Sequence, residues 1–566
     1  MHTSSKLTTD FFKNKTGLLL CICSLTYYFL LNLPLNLSVL CANQNQGFAF
    51  TWGQNFLLWG ELTCGRGPLF ILLYAIILKI FGFNTWSIIG VHIVETIIFI
   101  LVGVLIYLIV NKALKSSFYS GLAVLLWVTF ITSPLSTPES LKVEILSHFN
   151  LSEESLCILF SLGSLYFLLR ERKKSSFLAG IFAVCSFMSK ANGAILGIAT
   201  ILWFIQLALF KKEDFKLLGR KFLFYFIGVI SSLALFNLII YILKGDLVSF
   251  WKDYFLIGSY TNEHLKSAQS ILGRFLIVMT RNSNSASNFI LFLFALLLFI
   301  WGLVKCFVSK PSPEARFWSL IGIWGIGNVL VIIIPGEYQP YYYHLIWTQI
   351  AIIFVLALQG LFLKIRDKKK IITSAAIFIS IFFVYRVFLS IPAHYNIAKY
   401  YFSLNIFNQS QSFQDPVLSY DSSLIKRAGY LQLADKINIL LPSKTSTLYI
   451  FNFNEGGYTG LTPLSYIYAK RYPPTTVDCH LLQIPNILES KLIDLRSDLI
   501  KRPPDLLIIS KTNYLQPWQI KPLSPFLEWF SNFTNTNYKI ETALEYKQLF
   551  GEQRVESFVV YRKINS

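Results

Sequence analysis

Charge is what this sequence has least of. Asp, Glu, Lys and Arg make up 14% of its 566 residues, against roughly 25% in soluble domains. That shortage excludes a wholly water-soluble globule. Acidic side chains are the scarcer kind, 30 against 50 basic, for a formal net charge of +20. Basic chains of this sort include nucleic-acid binders. Here, however, the Lys and Arg residues stand at the ends of apolar runs, so no nucleic-acid partner is expected. The 8 cysteines have no metal-ligand spacing. Cys21, Cys23, Cys157, Cys185 and Cys306 lie in or beside apolar runs and read as small hydrophobes. Cys41 and Cys64 bracket a loop and are candidates for a disulfide. The chain also lacks a nucleotide-binding glycine loop, an internal repeat and low-complexity stretches. No small-residue cleavage site follows the basic, then apolar N-terminus, which reads as a first span rather than a removed leader.

What is abundant is apolar length. Apolar residues make up 54% of the chain, and mean hydropathy is +0.53. Runs long enough to span a bilayer, or nearly so, cover 17–36, 86–110, 117–135, 151–169, 176–192, 193–210, 222–243, 287–308, 316–334, 345–363 and 371–391. The shorter run Pro68–Phe81 reads as a re-entrant or interfacial helix, and Phe48–Trp59 as an aromatic-rich amphipathic helix lying at the interface. Positive charge alternates between loops. Lys6, Lys13 and Lys15 share a side with Lys112 and Lys115, with Arg170, Arg172, Lys173 and Lys174, and with the Lys211–Lys221, Lys305–Arg316 and Lys364–Lys370 groups. The opposite loops hold chiefly Arg66, Lys142 and Lys190. By the positive-inside rule the N-terminus is cytoplasmic, and about eleven spans put the C-terminus outside.

From about Pro392 the composition becomes that of a soluble α/β domain. Helices are expected at Ser423–Leu441 and Asn486–Lys501. Strands are expected at Thr447–Phe451 (TLYIF), Asp505–Ser510 (DLLIIS) and Ser557–Tyr561. The sequence therefore predicts an α-helical polytopic membrane protein, with a membrane domain over 1–391 and an extracytoplasmic α/β domain over 392–566.

Several stretches resemble the GT-C membrane glycosyltransferases, in particular the bacterial relatives of protein O-mannosyltransferases and lipid A aminoarabinose transferases. In the first outer loop (41–67) and the run that follows it, Gly60, Glu61, Gly67, Pro68, Leu69, Phe81 and Gly82 match the family pattern. LSEESLCILF (151–160) is similar to its Glu-containing span start, and MSKANG (188–193) to its Lys-X-X-Gly corner. PGEYQPYYYHLIW (335–347) resembles its aromatic, His-rich corner, and GGYTGLTPLSYIYAKRYPPTT with PPDLLIIS its outer domain. The resemblance implies transfer of a sugar from a polyprenyl-phosphate donor to a glycan, lipid or protein acceptor of the cell envelope. It implies the periplasmic face of a bacterial inner membrane as the place. No cofactor is expected; some relatives use a divalent metal, which nothing in this sequence requires. One departure matters: where the family carries its catalytic Asp, this chain reads Asn43-Gln44-Asn45-Gln46-Gly47. An inactive member of the fold, or less plausibly a lipid-linked sugar transporter, therefore stands as the alternative.

Transfer from a polyprenyl phosphate builds positive charge on the sugar. It needs a base for the acceptor hydroxyl and donors for the leaving phosphate. Glu61 is the carboxylate of the first loop, a candidate base or a solvated turn residue. Asn45 can orient a hydroxyl but cannot take its proton. Arg66, in a tight Gly-Arg-Gly-Pro turn, is a candidate phosphate ligand or a headgroup anchor. His92 and Glu95, three residues apart in a span, are candidates for donor or lipid contact or for pairing with each other. Glu153 and Glu154 either serve the helix dipole or bind sugar or metal, and Lys190 at a corner is a candidate for the carrier phosphate. Glu337, Tyr342 and His344 are candidate substrate contacts within a corner that also reads as an interface belt.

Overall fold

Long apolar runs without proline form helices here because only intra-segment hydrogen bonding satisfies the backbone away from water. The computed structural model describes residues 15–30, 44–59, 67–132, 152–170, 172–209, 215–242, 246–248, 250–252, 254–255, 270, 273, 286–308, 312–333, 344–364, 433–441, 443, 446–451, 462–475, 477, 488–510, 517–547 and 555–564. In chain order the helices are α1 (Lys15–Leu30), α2 (Gln44–Trp59), α3 (Pro68–Phe81), α4 (Thr85–Leu114), α5 (Ser117–Thr132), α6 (Glu153–Leu168), α7 (Lys173–Ser189), α8 (Ala194–Leu209), α9 (Phe215–Ile242), α10 (Ala286–Val308), α11 (Pro313–Ile333) and α12 (His344–Lys364). Then follow β1 (Leu448–Phe451), α13 (Thr462–Ala469), α14 (Leu488–Lys501), β2 (Leu506–Ser510), α15 (Pro517–Asn537), β3 (Tyr538–Lys547) and β4 (Val555–Lys563).

The predicted spans at 17–36 through 345–363 each coincide with a helix, α1 and α4 to α12. The run at 371–391 lies outside the described residues. Among the described residues, 4 helices have the length and apolar character of a full crossing: α4, Ala191–Leu209, α9 and α11. Pro68–Phe81 is a helix of 14 residues, too short to cross the hydrocarbon core upright.

The chain divides into two compact units. The first holds Met1–Leu35, Val94–Leu238 and Thr261–Ser403. Its α6 and α7 pack through small and hydroxyl-bearing residues, as helices in lipid do. The Ser164 hydroxyl donates to Ala179 O at 2.8 Å, and Ser161 and Ser186 share a hydrogen bond at 2.8 Å. Aromatic stacking joins α1 to α4 through Tyr28–Phe99 (3.7 Å between ring centres) and α4 to α5 through Phe99–Trp127 (4.8 Å).

The second unit holds Asn36–Ile93, Ile239–Tyr260 and Leu404–Ser566. Its sheet has the order β1-β2-β4-β3. β1 runs parallel to β2, with Leu448 opposite Leu506, and β4 is antiparallel to both β2 and β3. A parallel neighbour requires a crossover, and α13 and α14 lie within it. Leu488, Leu492, Leu495 and Leu499 recur at helical spacing along α14 and meet Phe451, Phe526 and Phe530 in the core.

The same unit contains α2 and α3, which form a helical hairpin. Gly53 lies where a Cβ would come within 2.9 Å of Ala75 N, so only glycine lets the two backbones approach this closely. Phe50 and Tyr74 meet edge to face at 5.1 Å. The sequence predicts a surface-lying amphipathic helix over Phe48–Trp59. The structure starts it at Gln44 and buries every residue from Ala49 to Asn55, because α3 and α13 both pack on it.

Candidate functional site

Three helix ends in the first unit come together. α6 begins at Glu153 because Ser152 caps it: the Ser152 hydroxyl accepts from Ser155 N at 3.3 Å, and Ser155 Oγ accepts from Ser152 N at 3.1 Å. This reciprocal pair satisfies amides that the first turn leaves open. Glu153 and Glu154 then occupy the first turn, where the helix dipole favours negative charge. Both are buried.

α7 ends at Ser189, and Lys190 adopts an extended conformation before the short 3-10 turn Ala191–Gly193. Gly193 N donates to Lys190 O at 2.8 Å. A Cβ on Gly193 would sit 2.3 Å from the carbonyl of Ser186, so glycine alone allows α8 to start flush against the last turn of α7. The corner aims the Lys190 ammonium at Glu154. The two form a buried ion pair, with the lysine side chain 12% and the glutamate side chain 4% exposed. His344, the first residue of α12, is buried within electrostatic reach of Glu154. Nearby, Asn328 on α11 donates to Leu345 O at 3.3 Å and ties α11 to the start of α12.

The structure thus gathers Glu154, Lys190 and His344, with Glu153 beside them. A carboxylate held by an ammonium at the first turn of a helix is fixed in place. An ammonium has three donors, and Glu154 takes one of them and orients Lys190. Ser152 and Ser186 escaped the sequence reading. The Ser-Glu-Glu-Ser pattern of a capped helix start would have revealed the first; nothing local marks Ser186, which bonds Cys157 O at 3.0 Å across the helix pair.

A lateral groove of about 710 Å³ begins close by in the chain. It is lined by Ile195, Ile198, Leu202 and Ile205 of α8 and by Ile326 and Leu330 of α11. Its polar member is Gln206, which donates to Leu303 O at 3.4 Å and accepts from Ser319 Oγ.

The other candidates are placed as follows. His92 and Glu95 are both buried on α4, at 2% and 8% exposure, and Glu95 lies within electrostatic reach of Tyr28. Asn45 is in the first turn of α2. Glu61, Arg66, Glu337 and Tyr342 lie outside the described residues, as do Cys41 and Cys64. Among the described residues, no three His, Cys, Asp or Glu side chains are grouped to hold a metal ion.

Neither a protein-family model nor a curated protein matches the sequence. Solved structures do resemble the chain. ArnT from Cupriavidus metallidurans bound to undecaprenyl phosphate is 13% identical with a TM-score of 0.52, covering 97% of this chain and 98% of that one. Its apo form is 14% identical with a TM-score of 0.51, over 96% and 97%. The archaeal oligosaccharyltransferase AglB from Archaeoglobus fulgidus, in complex with an inhibitory peptide and a dolichol-phosphate, is 13% identical with a TM-score of 0.47, over 88% and 70%.

Proposed function

We propose, from the premise that this membrane protein has the GT-C fold, that it transfers a sugar from a polyprenyl-phosphate donor to a cell-envelope acceptor. The reaction takes place on the periplasmic face of an inner membrane. The observation that carries this reading is the pairing of a polar corner with an apolar groove along one helix. Lys190 stands just before α8 begins and holds Glu154 of α6, and the aliphatic groove follows α8 from Ile195 to Leu209. At 1.5 Å per residue those positions span roughly 21 Å. Such a pair suits a lipid with an anionic head and a long branched-aliphatic tail. Lys190 meets the carrier phosphate, Glu154 orients the ammonium, and His344 and Glu153 border the sugar. The undecaprenyl phosphate bound to the structurally similar ArnT supports the same donor class.

On this reading Glu61 accepts the acceptor proton, Arg66 assists the leaving phosphate, and Asn45, Glu95, His92, Glu337 and Tyr342 are contacts to donor or acceptor. The reaction needs no cofactor. A second reading, a non-catalytic binder of lipid-linked sugar, is favoured by one observation: the helix-start position resembling the family's Asp holds the amide of Asn45.

The test is to incubate the purified protein with polyprenyl-phosphate sugars and envelope acceptor and to measure released polyprenyl phosphate by mass spectrometry. The transferase reading expects release from the wild type and little from Glu61→Ala. Binding of lipid-linked sugar without release sinks it in favour of the second reading, and Asn45→Asp then asks whether a disabled site can be restored.

A further inference from the structure

A buried polar relay in the second unit joins the first-loop hairpin to the C-terminal sheet domain. Asn55, one turn from the end of α2, is 1% exposed. Its Nδ2 donates to Thr475 O at 3.2 Å, across 420 positions of sequence. Thr475 is itself fixed. Its hydroxyl donates to Asp498 Oδ2 at 2.7 Å and accepts from Val477 N at 3.0 Å. Asp498 in turn receives Arg502 Nη2 on its other oxygen at 2.7 Å, one turn further along α14. The same strap holds the far end of the hairpin, where Tyr472 packs on Phe83 at 5.3 Å between ring centres. Tyr472 is also bridged to Thr447 at the start of β1.

The relay is costly as a mere stabiliser. Asn55 Oδ1 is buried with no hydrogen-bond partner among the described residues, and an unmet buried acceptor carries the full cost of its desolvation. Leucine has the same number of side-chain heavy atoms and a similar branched shape, and it carries no such penalty. What the amide adds over leucine is direction: a single donor aimed at a single carbonyl fixes the register of α2 on the domain.

We infer that Asn55, Thr475 and Asp498 are positioning residues, which clamp the α2–α3 hairpin to the C-terminal domain and so set the register of α2. The first turn of α2 carries Asn45. The hairpin is then part of the C-terminal domain's fold. The clamp itself stands apart from the transferase reading; only its effect on turnover rests on that reading.

Hydrogen–deuterium exchange on the full chain in nanodiscs tests the clamp. The variants are Asn55→Leu, Thr475→Val, which keeps the shape but lacks the hydroxyl, and Thr475→Ser, which restores it. Exchange over 49–59 is expected to quicken about tenfold in the first two, the equivalent of one lost buried hydrogen bond. Thr475→Ser should match the wild type, and peptides of α6 and α7 should not change in any variant. Turnover in Asn55→Leu should fall about tenfold in kcat with KM for the donor held, as expected when a group is misplaced rather than removed from the binding site. Unchanged exchange over 49–59 in folded Asn55→Leu and Thr475→Val overturns the inference. So does faster exchange with undiminished kcat. A wild type that releases no polyprenyl phosphate while the variants still quicken exchange supports the clamp and fails the transferase reading alone.

Discussion

The Lys190 ammonium and the Glu154 carboxylate form a buried ion pair that locks the end of α7 to the start of α6. Neither residue can be read alone. The glutamate is the counter-ion that makes a buried lysine tenable, and the lysine is the counter-ion of the glutamate.

Removing one partner strands the other charge away from water. Lys190→Met or Glu154→Gln is expected to destabilise the protein by about 3–5 kcal/mol. The double variant Lys190→Met/Glu154→Gln should recover most of that loss, because no uncompensated charge remains. Thermal unfolding of the three variants in detergent measures both. A loss in the double variant equal to the sum of the two single losses would mean that the pair is uncoupled and contributes nothing.

The corner that aims Lys190 depends on Gly193. Gly193→Ala places a methyl group 2.3 Å from the Ser186 carbonyl, a clash with backbone that no rotamer relieves. Overpacking of this kind costs about 1–3 kcal/mol. The variant should melt earlier and bind polyprenyl phosphate more weakly, since Lys190 is displaced with the turn. Tryptophan fluorescence melting and a lipid-binding assay report the two effects.

The groove makes a separate prediction. Ile198→Trp and Leu202→Trp fill it from the α8 side while leaving the Lys190 corner intact. For a long-chain polyprenyl donor, KM should rise about tenfold, roughly 1.4 kcal/mol of lost tail contact, with kcat retained. A donor with a two-isoprene tail should be unaffected. Equal effects on both donors would place the tail elsewhere.

Much of this was legible in the sequence, and the reasons are physical. Spanning helices declare themselves by apolar length alone, so the expected runs from 17–36 to 345–363 each appear as helices. β1, β2 and α14 were readable because TLYIF and DLLIIS are short apolar runs and Leu488, Leu492, Leu495 and Leu499 keep the helical period. α15 was hidden by Pro522 and Pro525 inside it, and β3 by its alternation of polar residues on an edge strand. The Glu154–Lys190 partnership was unreadable because nothing local marks a contact 36 positions apart. The burial of α2 was missed for the same reason: its second partner, α13, lies some 400 residues on.

Tyr538 carries a pH signature of the sheet domain. Its hydroxyl donates to Pro504 O at 2.9 Å in a buried setting. Burial first, and the nearby Asp505 charge second, push its ionisation well above the ordinary range. The folded state therefore holds the phenol proton more tightly than the unfolded chain, whose tyrosines ionise near about 10. Where the unfolded state has lost a proton that the folded state keeps, stability falls as pH rises. The contribution is complete below about pH 10 and declines above it. Tyr538→Phe removes both the hydrogen bond and the titrating group. It should cost about 0.5–1.5 kcal/mol at neutral pH and flatten the decline in alkali. Exchange protection of α14 and β2, followed from pH 8 to roughly pH 11, reads the domain's stability directly. Parallel declines in the wild type and Tyr538→Phe would assign the alkaline loss to another group.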